Sequence, residues 1–238
     1  MIRIENLTVK IENIIVLDNV KMEIPQGSIV ALVGPNAAGK SSLAKAIMGF
    51  PECKIVHGRI FFENKDITNL PIEERVKRGI TIVFQDPPAV RNVKLKALLS
   101  RLNARDPDAL LSKLGFHRTI LDRELNVGFS GGEKKISEIL QVIALDPKFI
   151  IFDELDSGLD ASLLIRLNSF LVDWIRKNKK TALFITHRSD VLNILKPDDT
   201  FVLTNKTIIC HGDYRIIWDC IKKKGYNACA LCPILEKL

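Results

Sequence analysis

No apolar run in this 238-residue chain approaches the roughly 18 residues that a membrane span needs. Any link to a membrane must therefore come through a partner. The chain opens directly on strand-like Ile2-Arg-Ile-Glu-Asn-Leu, so no signal peptide is expected. There is no internal repeat and no low-complexity linker, and no heptad series supports a long coiled coil. Net charge is +7, but the basic residues are dispersed, with small clusters at 176–180 and 222–224. Each cluster falls where a helix should end, which suits a solvated, dipole-matched C-terminus. No nucleic-acid reading motif accompanies the charge, so nucleic-acid binding is not expected. Five cysteines, an odd number without a secreted context, read as reduced thiols of a cytoplasmic protein. Cys53 and Cys210 read as core thiols. Cys229-Ala-Leu-Cys232, with Cys220 nearby, is half a zinc site at best and reads as incidental.

The remaining composition, 47% hydrophobic and 26% charged, is an ordinary globular mix, and the length suits a single domain. Within it stands Gly34-Pro35-Asn36-Ala37-Ala38-Gly39-Lys40-Ser41, followed by Ser42, which fits the phosphate-cradling pattern GxxxxGK[ST]. The apolar run Ser28-Ile-Val-Ala-Leu-Val33 precedes it and a helical pattern follows it. This strand–loop–helix context lets backbone N–H groups turn inward on a polyphosphate. Lys40 would reach the β- and γ-phosphates of ATP, and the Ser41 hydroxyl would ligate Mg²⁺. Downstream, Phe149-Ile-Ile-Phe152 ends in Asp153 and Glu154. Asp153 suits a metal held through water, and Glu154 suits polarisation of an attacking water. Phe129-Ser130-Gly131-Gly132-Glu133-Lys134-Lys135 then opens an apolar helical run. Its hydroxyl and bare N–H groups at a helix start make a second anion site, or an ordinary N-cap.

In this order the motifs resemble those of the ATP-binding-cassette (ABC) ATPases, from about residue 2 to about residue 226. Ser130, Gly131 and Gly132 look like the signature motif, Gln85 like the Q-loop, Ser157-Gly158-Leu159-Asp160 like the D-loop and His187 like the switch histidine. The resemblance implies catalytic roles for Glu154, His187 and Gln85, with Ser41, Gln85 and Asp153 around the metal. It also implies that Ser130–Gly132 and Asp160 complete the ATP site of a second subunit in a head-to-tail dimer. Asp153-Glu154-Leu155-Asp156-Ser157-Gly158-Leu159-Asp160, Val127-Gly128-Phe129-Ser130-Gly131-Gly132-Glu133-Lys134-Lys135, Glu138-Ile139-Leu140-Gln141 and Asp66-Ile-Thr-Asn-Leu-Pro-Ile-Glu-Glu-Arg75 together look like the SufC branch, the soluble ATPases of SUF iron–sulfur cluster assembly. That implies a SufB/SufD-like scaffold partner. The alternative is the ATPase subunit of a membrane transporter with permease partners. Residues 9–13 hold no aromatic to stack on adenine, so weak base selectivity is expected. Ala37 stands where the family usually has Gly, and phosphate binding should survive if its φ is negative. Lys135 either pairs with Glu154, restraining it, or is simply solvated.

The fold expected is an α/β nucleotide-binding core with an N-terminal antiparallel β piece and an inserted helical subdomain. Residues 1–85 and 146–238 would form the core, and 86–145 the helical part with the signature motif. Strands are expected at 2–10, 14–24, 58–63, 80–84 and 181–186, helices at 71–78, 160–177 and 214–224, and a hairpin at 200–211.

Overall fold

The computed structural model describes residues 1–102, 104 and 106–226. Cys229 and Cys232 lie outside them. β1 (Ile2–Ile11) and β2 (Ile14–Ile24) form a hairpin, and β3 (Ile29–Val33) leads into α1 (Lys40–Met48). β4 (Cys53–Phe62), β5 (Lys65–Asp66), α2 (Ile72–Lys77) and β6 (Ile80–Val83) follow. Then come α3 (Leu95–Arg101), α4 (Pro107–Leu114), a 3₁₀ turn (Arg118–Asp122) and α5 (Gly131–Leu145). β7 (Phe149–Asp153), α6 (Ala161–Lys177), β8 (Thr181–Ile185), α7 (Ser189–Leu195), β9 (Asp199–Thr204), β10 (Thr207–Gly212) and α8 (Tyr214–Lys224) complete the fold.

The strands make two sheets. One is antiparallel, in the order β2-β1-β4-β5. The other runs β10-β9-β3-β8-β7-β6, parallel except for the β9–β10 hairpin. Every residue of β3, β6, β7 and β8 is buried. A parallel sheet covered on both faces demands such unbroken apolar runs, which is why these strands were legible without alternation. One face packs against α1 and the antiparallel sheet through residues such as Leu43, Ile47, Ile60 and Phe62. The other packs against α5 and α6 through Ile136, Ile139, Leu167 and Leu171, with the helices of 95–122 beyond them.

Differences from expectation have local causes. The strand read at 58–63 begins at Cys53, because residues 53–57 also pair with β1. The pairing carries a register shift there, and Gly58 sits in it at φ 83°. A Cβ at Gly58 would meet the Asn6 and Glu5 carbonyl oxygens at 2.4 Å, so only glycine fits the bulge. α7 was not foreseen: it is one seven-residue helix with no side-chain cap. The basic cluster at 176–180 is not merely solvated. Arg176 makes a fork to both carboxylate oxygens of Asp198 at 2.7 and 2.9 Å, and Asp198 also accepts the Ile29 N–H that opens β3.

Arg75 is almost fully buried, at 1% exposed. Its guanidinium donates to the carbonyls of Leu70, Ala46, Ile47 and Thr68, all at 2.8 Å. Ala46 and Ile47 belong to the last turn of α1, whose carbonyls have no helical partner. Arg75 therefore satisfies the end of the helix that starts at Lys40. Burial lowers its pKa to about 10, so it stays charged at neutral pH. A lysine has one compact ammonium and cannot reach four carbonyls on separate segments. Arg75→Lys should cost about 2–4 kcal/mol in urea unfolding. A variant within about 0.5 kcal/mol of the wild type would mean that those carbonyls find other donors.

Candidate nucleotide-binding and catalytic site

The C-terminal ends of β3, β6, β7 and β8 all open at one rim of the parallel sheet. Leu32 lies opposite Ile185, Val83 opposite Phe152, and Asp153 opposite Ile185. The residues just beyond these positions are the phosphate loop, Gln85, Glu154 and His187. A cleft of about 640 Å³ forms there, lined by Asn36, Ala37, Gly39, Lys40, Ser41, Ser42, Gln85, Glu154 and His187.

Gly34, Pro35 and Ala38 lie beneath this lining. A Cβ on Gly34 would stand 2.0 Å from the Leu203 carbonyl oxygen, so the loop could not follow its path with any other residue. α1 begins at Gly39 with no side-chain cap among the described residues, which leaves its first N–H groups facing the cleft mouth. Lys40 is 5% exposed and donates to the carbonyls of Gly34 and Pro35, both at 3.0 Å. Burial lowers its pKa, and Glu154 and Asp153 pull it partly back up. Ala37 has φ 61°. The negative φ on which its tolerance was premised is thus not what the loop adopts, and the Cβ sits in a left-handed conformation that glycine would occupy without strain.

Ser41 Oγ donates to Asp153 Oδ1 at 3.1 Å. Burial raises the Asp153 pKa, Ser41 opposes that, and Glu154 adds to it. The Ser41 hydroxyl and the Asp153 carboxylate meet here, oxygen donors of the kind that suit a hard divalent cation. Glu154 leaves β7 at φ 48°, held by its N–H on the Ile185 carbonyl at 3.1 Å. Its Oε2 accepts from Gln85 Nε2 at 2.9 Å, and its Oε1 lies 3.7 Å from His187 Nδ1. The three side chains singled out for catalysis therefore meet at one carboxylate.

Lys135 does not pair with Glu154. It is 2% exposed and donates to the carbonyls of Phe84 at 2.7 Å and Gln85 at 2.5 Å. Both the restraint and the solvated alternative are overturned. The physical reason is position: Lys135 sits in the first turns of α5, beside the end of β6, and buried carbonyls capture it. Burial lowers its pKa, while Glu138, Asp153 and Asp156 favour its charge.

Ser130, Gly131, Gly132 and Asp160 do not reach the cleft. Ser130 and Glu133 form a reciprocal cap on α5, at 3.3 and 2.7 Å. Asp160 caps α6 through Leu163 N–H at 2.9 Å. A Cβ on Gly131 would be 3.1 Å from the Gly158 carbonyl oxygen, so signature and D-loop lie side by side. Sequence reasoning missed Ile14, Ile15, Val16 and Lys206, which also line the cleft. Ile14 is 64% exposed, an apolar residue where strand alternation gives no reason to leave one. Lys206 reaches the site because Asn205 and Lys206, both at positive φ, make a two-residue hairpin turn whose Lys206 carbonyl accepts from Asp18 N–H at 2.8 Å.

Two outcomes follow from this geometry. Ala37→Gly should stabilise the fold by up to about 1 kcal/mol, a rise of roughly 2–4 °C in Tm, without weakening ATP binding by calorimetry. A lower Tm would show that the loop gains more from alanine's smaller unfolded-state freedom. Lys135→Ala should lower basal ATPase roughly 10- to 100-fold by loosening the Gln85 backbone. Raised basal activity, assayed at several protein concentrations, would return Lys135 to a restraining contact.

Residues 17–157 match the family described as ABC transporter. A probable ABC transporter ATP-binding protein of Streptococcus pyogenes serotype M3 is 35% identical over 97% of this chain and 95% of its own length. A probable ATP-dependent transporter of Cyanidium caldarium is 36% identical, covering 95% of each chain. Among solved structures, a nucleotide-free ATP-binding cassette from an ABC transporter superposes with a TM-score of 0.79 at 26% identity, covering 95% of this chain and 97% of that one. A cassette in its ADP conformation gives 0.78 at 26% identity, covering 97% and 98%. Motifs, cleft and likeness agree: the chain belongs to the ABC transporter family of ATP-binding cassettes, and it is an ATP hydrolase.

Proposed function

We propose that this chain is the ATP-binding and ATP-hydrolysing subunit of a soluble iron–sulfur cluster assembly complex of the SufC type. ATP hydrolysis would drive a conformational change in a SufB/SufD-like scaffold partner. The observation that carries this reading is the use of the SufC-like residues. Lys135 and Glu138, from the distinctive run after the signature, hold the Phe84–Gln85 backbone from both its carbonyl and its N–H sides. Arg75, from the distinctive run before β6, closes the end of the phosphate-loop helix. A second reading, the ATPase subunit of a membrane transporter, is favoured by the transporter names of the relatives. No described helix is long and apolar enough to cross a membrane.

In either case the residues take the same roles. Lys40 and the N–H groups of residues 36–42 bind and orient the triphosphate. Ser41, Asp153 and Gln85 would hold Mg²⁺, which when bound neutralises phosphate charge. Glu154 accepts a proton from the attacking water, with Gln85 and His187 fixing its carboxylate. Ile14 and Ile15 offer the base an aliphatic face rather than an aromatic one, which supports weak adenine selectivity. Ser130, Gly131 and Asp160 are exposed on a surface away from the cleft. Their placement suits donation to the ATP of a second, head-to-tail subunit. On this reading residues 86–145 form the helical part that carries the signature, against a core of 1–85 and 146–238.

The test is Glu154→Gln. It keeps shape but removes basicity, so turnover should fall roughly 10²–10⁴-fold while ATP still binds. With ATP present the variant should hold its partners, and mass spectrometry of what co-purifies decides between the readings. Soluble scaffold proteins are expected; polytopic membrane subunits would favour the transporter. Wild-type turnover would remove Glu154 as the base.

A further inference from the structure

Two buried polar residues lie behind the catalytic rim without lining the cleft: Asp156, 4% exposed, and Thr186, 2% exposed. Thr186 Oγ1 donates to Asp156 Oδ2 at 2.9 Å and accepts from Arg188 N–H at 3.1 Å. The directions are fixed, because a backbone N–H can only donate and the single hydroxyl hydrogen must then go to the carboxylate. The two bonds enclose His187. Thr186 precedes it, Arg188 follows it, and one hydroxyl oxygen closes the turn between them. Thr186 N–H also donates to the Leu32 carbonyl at 3.3 Å, which carries the β3–β8 ladder one residue past Ile185.

His187 needs such a seat. Its side chain is 48% exposed, and its ring approaches Glu154 at 3.7 Å without a hydrogen bond among the described residues. Where that ring stands is therefore decided by the backbone of residues 186–188. The Arg188 side chain does not brace it, since its guanidinium already pairs with Asp190 at 3.1 and 2.6 Å. On the other side, Asp156 belongs to the turn that Glu154 begins. The Glu154 carbonyl accepts from Ser157 N–H at 3.1 Å, and Leu155 between them is buried. The turn after β7 and the turn after β8 are thus joined twice. The main-chain joint, from Glu154 N–H to the Ile185 carbonyl, places Glu154. The side-chain joint, from Thr186 to Asp156, lies under His187.

We propose that Asp156 and Thr186 are positioning residues for ATP hydrolysis: their buried hydrogen bond sets where His187 stands against Glu154. This rests on the reading that Glu154 and His187 act together at the attacking water. Neither Asp156 nor Thr186 reaches the nucleotide, and both act only through the imidazole. A bond that merely held the two turns together would affect stability, and its loss would not depend on whether residue 187 carries a ring.

Thr186→Val removes the hydroxyl and leaves both Asp156 and the Arg188 N–H without this partner. ATPase of the full chain is measured per subunit, at a protein concentration where the rate no longer rises. Thr186→Val should lower kcat roughly tenfold and leave KM within about twofold, because the triphosphate is still held by Lys40 and the loop. Thr186→Ser returns the hydroxyl and should bring kcat back to within about threefold of the wild type. The deciding measurement is the cycle with His187→Ala. With the ring gone, adding Thr186→Val should change kcat by less than about twofold. An equal fold loss in both backgrounds, a wild-type kcat in Thr186→Val, or a loss carried by KM overturns the positioning. Should Thr186→Val not fold, Asp156→Asn decides. Its amide oxygen still accepts from Thr186, so kcat should stay within about threefold, and a loss of roughly tenfold or more overturns the proposal. A His187→Ala variant with wild-type turnover would remove the reading of His187 and this role with it. Failure of the positioning alone leaves His187→Ala slow, so the two failures are told apart.

Discussion

The parallel hydrogen-bond ladder β3-β8-β7-β6 is the constraint on which the site depends. Parallel neighbours hold their C-terminal ends at one rim, so whatever follows each strand is delivered to the same place. The phosphate loop follows β3, Gln85 follows β6, Glu154 follows β7 and His187 follows β8. From Asn36 to His187 these residues lie as far as 151 positions apart in sequence, yet they line one cleft. No loop search is needed to assemble them. The entropy of bringing them together is met by burying the strands, whose side chains are almost wholly removed from water.

Around that rim the backbone is held in conformations that only neighbouring contacts make tenable. Glu154 and Ala37 both adopt left-handed φ values, and such strain persists where the surroundings over-determine it. At Glu154 the determinant is the N–H bond to Ile185, which prolongs the β7–β8 ladder by one residue. The Gln85 arm is exposed and rests on a buried support instead: Lys135 takes two carbonyls and Glu138 one N–H. α5 thus connects the Ser130–Gly132 segment at its start to the Phe84–Gln85 backbone, and through Gln85 to Glu154.

Much of this was readable because each local pattern has a physical period or a steric need. GxxxxGKS between a buried strand and a helix specifies a phosphate loop, and the apolar runs ending in Asp153-Glu154 and Thr186-His187 specify strands of a covered sheet. Asp160 and Ser130 are followed at three residues by the N–H groups they cap. The reading failed where partners come from elsewhere in the chain. Ile14 and Ile15 looked like ordinary strand residues, and only the folding of the antiparallel sheet against α1 turns them toward the cleft. Lys206 looked like a turn residue because nothing local reveals that β10 packs beside β2.

Lys135 marks the boundary between the two kinds of information. By itself the sequence determined the family motifs, the α/β alternation and the identities of the groups at the rim, because those follow from period, spacing and the chemistry of single residues. Only the tertiary structure decided which acceptor a buried ammonium takes. A carboxylate and a pair of carbonyls are both adequate partners for a lysine, and sequence spacing cannot rank them. The closer, already desolvated carbonyls of Phe84 and Gln85 prevail, which leaves Glu154 to Gln85 and His187.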